Sequence, residues 1–208
     1  MSKQIKNIVI VGGGTAGWIT AGTLAASLIK KVAGGYSITL VESASIPIIG
    51  VGEGTWPTMR NTLKNMGIKE TDFIRRCHVS FKQGAKFSQW VTGKSDDFYY
   101  HPLVLPQGFD QINLTPHWQS LANQQSFSKT VCPQEAICEL GLAPKLITTP
   151  EYQAQANYAY HLDAGKFTTF LTKHCTENLG VNHVLADVSQ VQSADNGDIK
   201  ALHTQQGV

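Results

Sequence analysis

Charge is scarce in this 208-residue chain, with 17 Lys and Arg against 15 Asp and Glu and a formal net charge of +2. The basic residues form no cluster, so there is no concentrated positive face of the kind that nucleic-acid binding needs, and nucleic acid is excluded as a partner. Cysteine is thin as well. Cys77, Cys132, Cys138 and Cys175 are scattered, without a C-x-x-C or a histidine at zinc-ligand spacing, which points to buried or idle thiols and to no metal site. Long apolar runs are missing too. The one that follows Lys6 is about six residues, against the roughly 20 needed to cross a bilayer. Nothing at the start resembles a cleavable signal, so a cytoplasmic protein with no membrane partner is expected. No repeat or low-complexity tract is present, which argues against solenoids and propellers.

Apolar residues make up 42% of the chain, enough for a globular core at this length. Asn7 to Val11 is a continuous apolar run, the pattern of a strand covered on both faces in a parallel sheet. Gly12-Gly13-Gly14 stops it. Thr15 to about Lys31 lacks proline, is rich in Ala and Leu, and repeats Ile19, Leu24, Leu28 and Val32 near helical spacing. Gly34-Gly35 ends the helix, and Tyr36 to Val41, closed by Glu42, supplies a second strand. The result is a βαβ unit. Within it, Gly12-x-Gly14-x-x-Gly17 follows a strand and opens a helix, with an acidic residue closing the next strand, which is the contextual fingerprint of a dinucleotide site. Gly12 permits the tight turn, Gly14 lets backbone approach a pyrophosphate, and Gly17 lets helix pack on strand. The helix N-terminus favours the negative charge. Glu42 would take the ribose hydroxyls and disfavours a 2′-phosphate, but the motif does not separate NAD from FAD.

Residues 44–57 carry Pro47, Gly50, Gly52, Gly54 and Pro57, too many breakers for a regular element, and read as a loop against a ligand. Two short helices follow, Thr58 to about Met66 and Lys69 to about Cys77, the second opened by Thr71-Asp72. Phe81 to Val91 alternates as one strand, with Lys82, Gly84 and Lys86 on one face; by residue type alone those lysines read as a solvated face. From Thr92 to about Pro150 periodicity is weak apart from a helix near Gln134 to Leu140. Tyr160 to Asp163 leads into a helix over Ala164 to Asn178, with Phe167, Phe170, Leu171 and His174 on one face. His183 to Val188 and Ile199 to Thr204, separated by Asp195-Asn196-Gly197-Asp198, read as a closing hairpin. The last residues directly follow a strand with nothing to cover a sheet edge, which suggests a piece of a longer protein.

Val11-Gly-Gly-Gly-Thr-Ala-Gly-Trp18, Ile49-Gly50-Val51-Gly52-Glu53-Gly54-Thr55-Trp56-Pro57, Phe81-Lys82-Gln-Gly-Ala-Lys86-Phe87 and Tyr160-His161-Leu162-Asp163-Ala164 occur in that order. Together they closely resemble the flavin-dependent tryptophan halogenases. The resemblance spans essentially the whole chain. It implies an α/β, Rossmann-like FAD-binding fold whose C-terminal part is missing. Residues 1–57 would form the βαβ unit and flavin loop, 58–150 helices, the Lys82 strand and an irregular insert, and 151–208 a helix and strand pair. It implies FAD as cofactor, held by Gly12, Gly14, Thr15, Ala16, Gly17, Glu42, Ser43, Ile49, Gly50, Val51, Gly52 and Val188. A separate flavin reductase would deliver the reduced form, and oxygen and halide would yield hypohalous acid. That oxidant would reach Lys82, the catalytic residue the resemblance assigns, beside tryptophan or another indole. Gly54 and Trp56 depart from the Ala or Ser and Ile of many members. The catalytic glutamate, the Trp-x-Trp-x-Ile-Pro segment and the halide loop of that family normally lie beyond residue 208. The competing readings are a related flavin monooxygenase and a non-catalytic FAD-binding piece, and by itself the chain is expected not to halogenate.

Overall fold

A computed structural model describes residues 5, 7–29, 36–47, 50–122 and 124–205. It opens with strand β1 (Asn7–Val11), helix α1 (Thr15–Ile29) and strand β2 (Ser37–Glu42). β1 and β2 are parallel, from Asn7 opposite Ser37 to Val11 opposite Val41, a pairing that needs a crossover connection such as α1. The expected end of the helix, Lys31 with Gly34-Gly35, lies outside the described residues. β1 is not covered on both faces as its composition suggests. Among the described residues it is an edge strand whose outer side chains stay open, with Val9 and Val11 about half exposed, while α1 packs on the other side.

The 44–57 stretch is not wholly irregular, because a short strand β3 (Gly52–Gly54) forms within it. Strand pairing uses backbone groups alone, so glycines can join a sheet when a neighbouring strand presents its edge. Helices α2 (Thr58–Asn65) and α3 (Glu70–Arg76) follow. α3 is capped by Lys69 without a side-chain bond, and Thr71 and Asp72 lie inside its first turn rather than at its start. The expected strand from Phe81 to Val91 is two strands, β4 (Ser80–Lys82) and β5 (Gly84–Ser88), which enter different sheets. A Cβ at Gly84 would sit 2.8 Å from the His101 carbonyl oxygen, so the break falls where only glycine admits the neighbouring backbone. Lys82 and Lys86 therefore do not share one strand face.

The insert holds more order than its composition shows: β6 (Phe98–Pro102), α4 (Thr115–Gln119), α5 (Phe127–Val131) and α6 (Gln134–Glu139). Strand β7 (Ala159–Asp163) then runs into α7 (Ala164–Leu179). The supposed closing hairpin divides at Ala186-Asp187. β8 (Asn182–Leu185) joins β2 in parallel, and β9 (Val188–Ser193) pairs with β10 (Ile199–Thr204). The Ala186 amide donates to the Glu42 carbonyl at 2.9 Å, which ends the parallel ladder and turns the chain away.

The chain forms two compact units, each assembled from separated stretches. The first comprises Met1–Gly52, Thr62–His78 and Leu162–Val208. Its core is the β1-β2-β8 sheet with α1 packed against α7, around fully buried Trp18, Leu40, Phe73, Phe167 and Leu171. Gly22 sets how closely α1 can be approached, since a Cβ there would fall 2.1 Å from Met66 Cε and 2.9 Å from Cys175 Sγ. The second unit comprises Glu53–Asn61 and Val79–His161. It contains the β4 and β7 pairing, with Phe81 opposite Tyr160 and Lys82 opposite Ala159, and the β5-β6 hairpin. Tyr158 and Tyr160 are wholly buried there.

Candidate functional site

In the first unit the glycine turn connects β1 to α1. Gly12 has φ +118 and donates its amide to the Val41 carbonyl at 2.8 Å, a conformation that side chains oppose. Gly17 is needed for a different reason, because a Cβ there would lie 1.9 Å from the Gly12 carbonyl oxygen. At Gly14 a Cβ would meet nothing within 4 Å. The open side of the turn thus coincides with the N-terminal end of α1, where amide groups without intrahelical partners carry partial positive charge. A pyrophosphate fits this cradle.

Glu42, at the end of β2, reaches back over that turn. Its Oε2 occupies the place of a Gly13 Cβ, 1.4 Å from it, so Gly13, like Gly17, has no room for a side chain. The other oxygen, Oε1, is 2.6 Å from His183 Nε2, and the His183 ring stacks edge-on against Trp18 at 5.0 Å. His183 is a residue that spacing could not reveal, since it comes from β8 far along the chain. The imidazole holds one carboxylate oxygen and leaves the other beside the glycines.

Among the remaining expected cofactor residues, Thr15 Oγ1 lies 3.4 Å from Thr168 Oγ1 and the Ala16 carbonyl accepts from Thr20 Oγ1 at 2.8 Å. Ser43 Oγ meets Ser45 Oγ at 2.8 Å. Gly50 and Val51 are exposed, and the Val51 carbonyl accepts from the Ala164 amide at 3.2 Å. Gly52 begins β3, Val188 begins β9 opposite Thr204, and Ile49 lies outside the described residues.

In the second unit Lys82 is half-buried on β4. Its ammonium donates to the Thr55 carbonyl at 3.2 Å and lies 4.9 Å from the centre of the Trp56 ring. Thr55 is itself fixed: its amide donates to the Tyr160 carbonyl at 2.8 Å, and its hydroxyl accepts from the Tyr160 amide at 3.0 Å. Gly54 leaves a gap, since a Cβ there would be 3.4 Å from both Lys82 Nζ and His161 Nδ1. Burial, and then the charge of Lys82, lowers the His161 pKa from its ordinary value, which favours a neutral ring near the ammonium. Two motifs that are separate in sequence, Gly54-Thr55-Trp56 and Lys82, thus form one cluster, and Lys82, with Phe81, Tyr100, Leu142 and His161, lines an open cleft of about 490 Å³. Lys86 is engaged elsewhere, 2.7 Å from Glu139 Oε1 and 4.2 Å from the Phe98 ring centre.

Among the described residues no group of three or more His, Cys, Asp or Glu could hold a metal, and no helix is long and apolar enough to cross a membrane. All four cysteines are free.

Residues 7–208 match the family described as tryptophan halogenase. Tryptophan 6-halogenase ThaL of Streptomyces albogriseolus is 34% identical, over 100% of this chain and 41% of ThaL. The crystal structure of a tryptophan halogenase from Shewanella frigidimarina is 50% identical, with a TM-score of 0.91 over 99% of this chain and 41% of that one. A flavin-dependent halogenase from Xanthomonas campestris superposes with a TM-score of 0.80 at 30% identity, over 99% of this chain and 40% of its own. The chain thus spans about two fifths of the length of these relatives.

Proposed function

The chain belongs to the tryptophan halogenase family, and we propose that it provides the FAD-binding part and the halogen-delivering lysine of an enzyme that halogenates tryptophan or a related indole. The observation that carries the reading is the cluster in which Thr55 and Trp56 hold the Lys82 ammonium at an open cleft. A lysine spent only on solvation would not need a carbonyl acceptor locked by two bonds to Tyr160.

The cradle geometry supports this reading of the cofactor residues. Gly12 to Gly17 and the α1 N-terminus would hold the FAD pyrophosphate, and Glu42, steadied by His183, would accept from the ribose hydroxyls. Flavin held there and reduced by a separate reductase would supply the chemistry that makes hypohalous acid from oxygen and halide. The chain's own contribution is to keep Lys82 at a fixed point, where its Nζ either hydrogen-bonds the oxidant or carries its halogen to an indole in the cleft. Proximity of this kind is a large part of what an enzyme can contribute to a bimolecular step.

The test is to assay the protein, carried to the natural end of its coding sequence, on indole substrates with bromide or chloride, FAD and a flavin reductase, beside Lys82→Met. Halogenated product should fall by about a hundredfold or more in the variant, with FAD affinity unchanged. Absence of halogenated product from every indole with either halide would overturn the reading. Hydroxylated product surviving in Lys82→Met would favour a monooxygenase instead.

A further inference from the structure

We propose that Trp56 is itself a halogen acceptor for Lys82, so that the protein marks its own indole when the cleft holds no aromatic substrate. The inference rests on the reading that Lys82 receives hypohalous acid, and it adds a modification site to it. Indole is an electron-rich ring open to electrophiles, and here one lies 4.9 Å from Lys82 Nζ. Trp56 is 62% exposed, so its ring is available rather than committed to a core. The separation is held from both sides, because Lys82 Nζ is tied to the Thr55 carbonyl and Trp56 is the next residue in the chain.

The other tryptophans provide the contrast. Trp18 is completely buried. Trp118 donates Nε1 to the Gln125 carbonyl and packs on Phe127. Trp90 is 71% exposed, at least as open as Trp56, but its ring contact is with Phe87. Lys86 faces Phe98 and Tyr100, with its ammonium bound to Glu139. Trp56 thus combines an exposed indole with a lysine held over its face.

The chemistry balances with hypohalous acid as the single oxidant. Once the Lys82 ammonium has given one proton to solvent, its nitrogen attacks the halogen, an N–X bond forms, the O–X bond breaks, and the hydroxide released takes a second proton from that nitrogen as water. The Trp56 ring then attacks that halogen. A C–X bond forms, N–X breaks with its electron pair returning to nitrogen, and the displaced ring proton goes to the amine. The net change is indole C–H plus hypohalous acid to indole C–X plus water, with Lys82 regenerated.

Treating the chain with less than one equivalent of hypobromous acid, then digesting it and locating bromine by mass spectrometry, tests this without flavin. Trp56 should carry about tenfold more bromine than Trp90, a preference set by proximity, and Lys82→Arg should reduce the ratio to unity. Equal marking of Trp56 and Trp90, or a preference that survives Lys82→Arg, would overturn the proposal. A second measurement needs no variant. Free methionine added as soon as the free hypobromous acid is spent should suppress marking of Trp56 but not of Trp90, because only a bromamine is then left for it to destroy, whereas added late it should spare both marks. Insensitivity of Trp56 to the delay would again overturn the proposal. Failure of the halogenase reading looks different: there, FAD, reductase and halide give no product, while added hypobromous acid still marks Trp56.

Discussion

At the scale of single residues, the glycine turn separates two reasons for having no side chain. Gly17 faces a carbonyl oxygen 1.9 Å from where its Cβ would be, whereas the Cβ of Gly14 would meet nothing. Gly17→Ala must therefore push apart the turn and α1, at a cost of about 2 kcal/mol in the range of overpacked cores. Gly14→Ala should leave urea unfolding within about 0.5 kcal/mol yet weaken FAD binding, because the new methyl group lies on the open side. Equal loss of stability in both variants would contradict this division. The sequence motif marked Gly12, Gly14 and Gly17 but not Gly13, whose constraint comes from Glu42, nor His183, which reaches Glu42 through the fold. His161 allows a second residue-scale prediction. Burial, followed by Lys82, lowers its pKa in the folded chain, so below about pH 6.5 the unfolded chain binds the proton more readily. This contribution to stability is complete above that pH and is lost as pH falls through the lowered folded value. The urea midpoint should drop between pH 7.5 and pH 5 by less in His161→Gln than in the parent, and an identical drop in both would refute the assignment.

At the scale of elements, α7 shows both ends of a helix under sequence control. Asp163 caps its start by accepting from the Lys166 amide at 2.9 Å, and Gly180 ends it in the left-handed conformation at φ +67. Asp163→Ala should cost about 1 kcal/mol and Asp163→Asn a few tenths, since Asn caps as well as Asp. Gly180→Ala should cost about 1 kcal/mol. The two caps are roughly 24 Å apart along a helix of this length, so Asp163→Ala with Gly180→Ala should sum to about 2 kcal/mol in thermal or urea melts. A clear departure from additivity would mean that α7 frays as one cooperative segment. This helix was legible because its cap, apolar stripe and glycine stop agree locally. β4 and β5 were not, because one alternating run serves two sheets, with the break at Gln83 next to a glycine that lies close against the His101 backbone. The same holds for β8 and β9, where alternation continues across Ala186-Asp187 but the pairing partner changes. Local pattern reports which residues can lie in a strand, and only tertiary pairing decides which sheet receives them.

At the scale of the whole molecule, the first unit is built from three separated stretches, and its stability belongs to none of them singly. Phe73 on α3 packs edge-on against Phe167 on α7 at 5.2 Å, and Cys175 on α7 lies against the Trp18 carbonyl of α1 at 3.7 Å. Elements that share one core this way should open together. The thiols provide the readout. Cys77 and Cys175 are fully buried in this unit, and burial pushes both up to about 12, with Asp163 adding to the rise at Cys77 and Arg76 opposing it. In the folded chain both should resist alkylation at pH 8, because the thiolate is the reactive form and is almost absent there. Cys138, in the second unit, is partly exposed and should react first. Along a urea series read by pulsed alkylation and mass spectrometry, Cys77 and Cys175 should become reactive at one common midpoint. If Cys77 reacted at lower urea than Cys175, the stretch Thr62–His78 would be opening alone, and the shared core described by these contacts would not be what holds it in place.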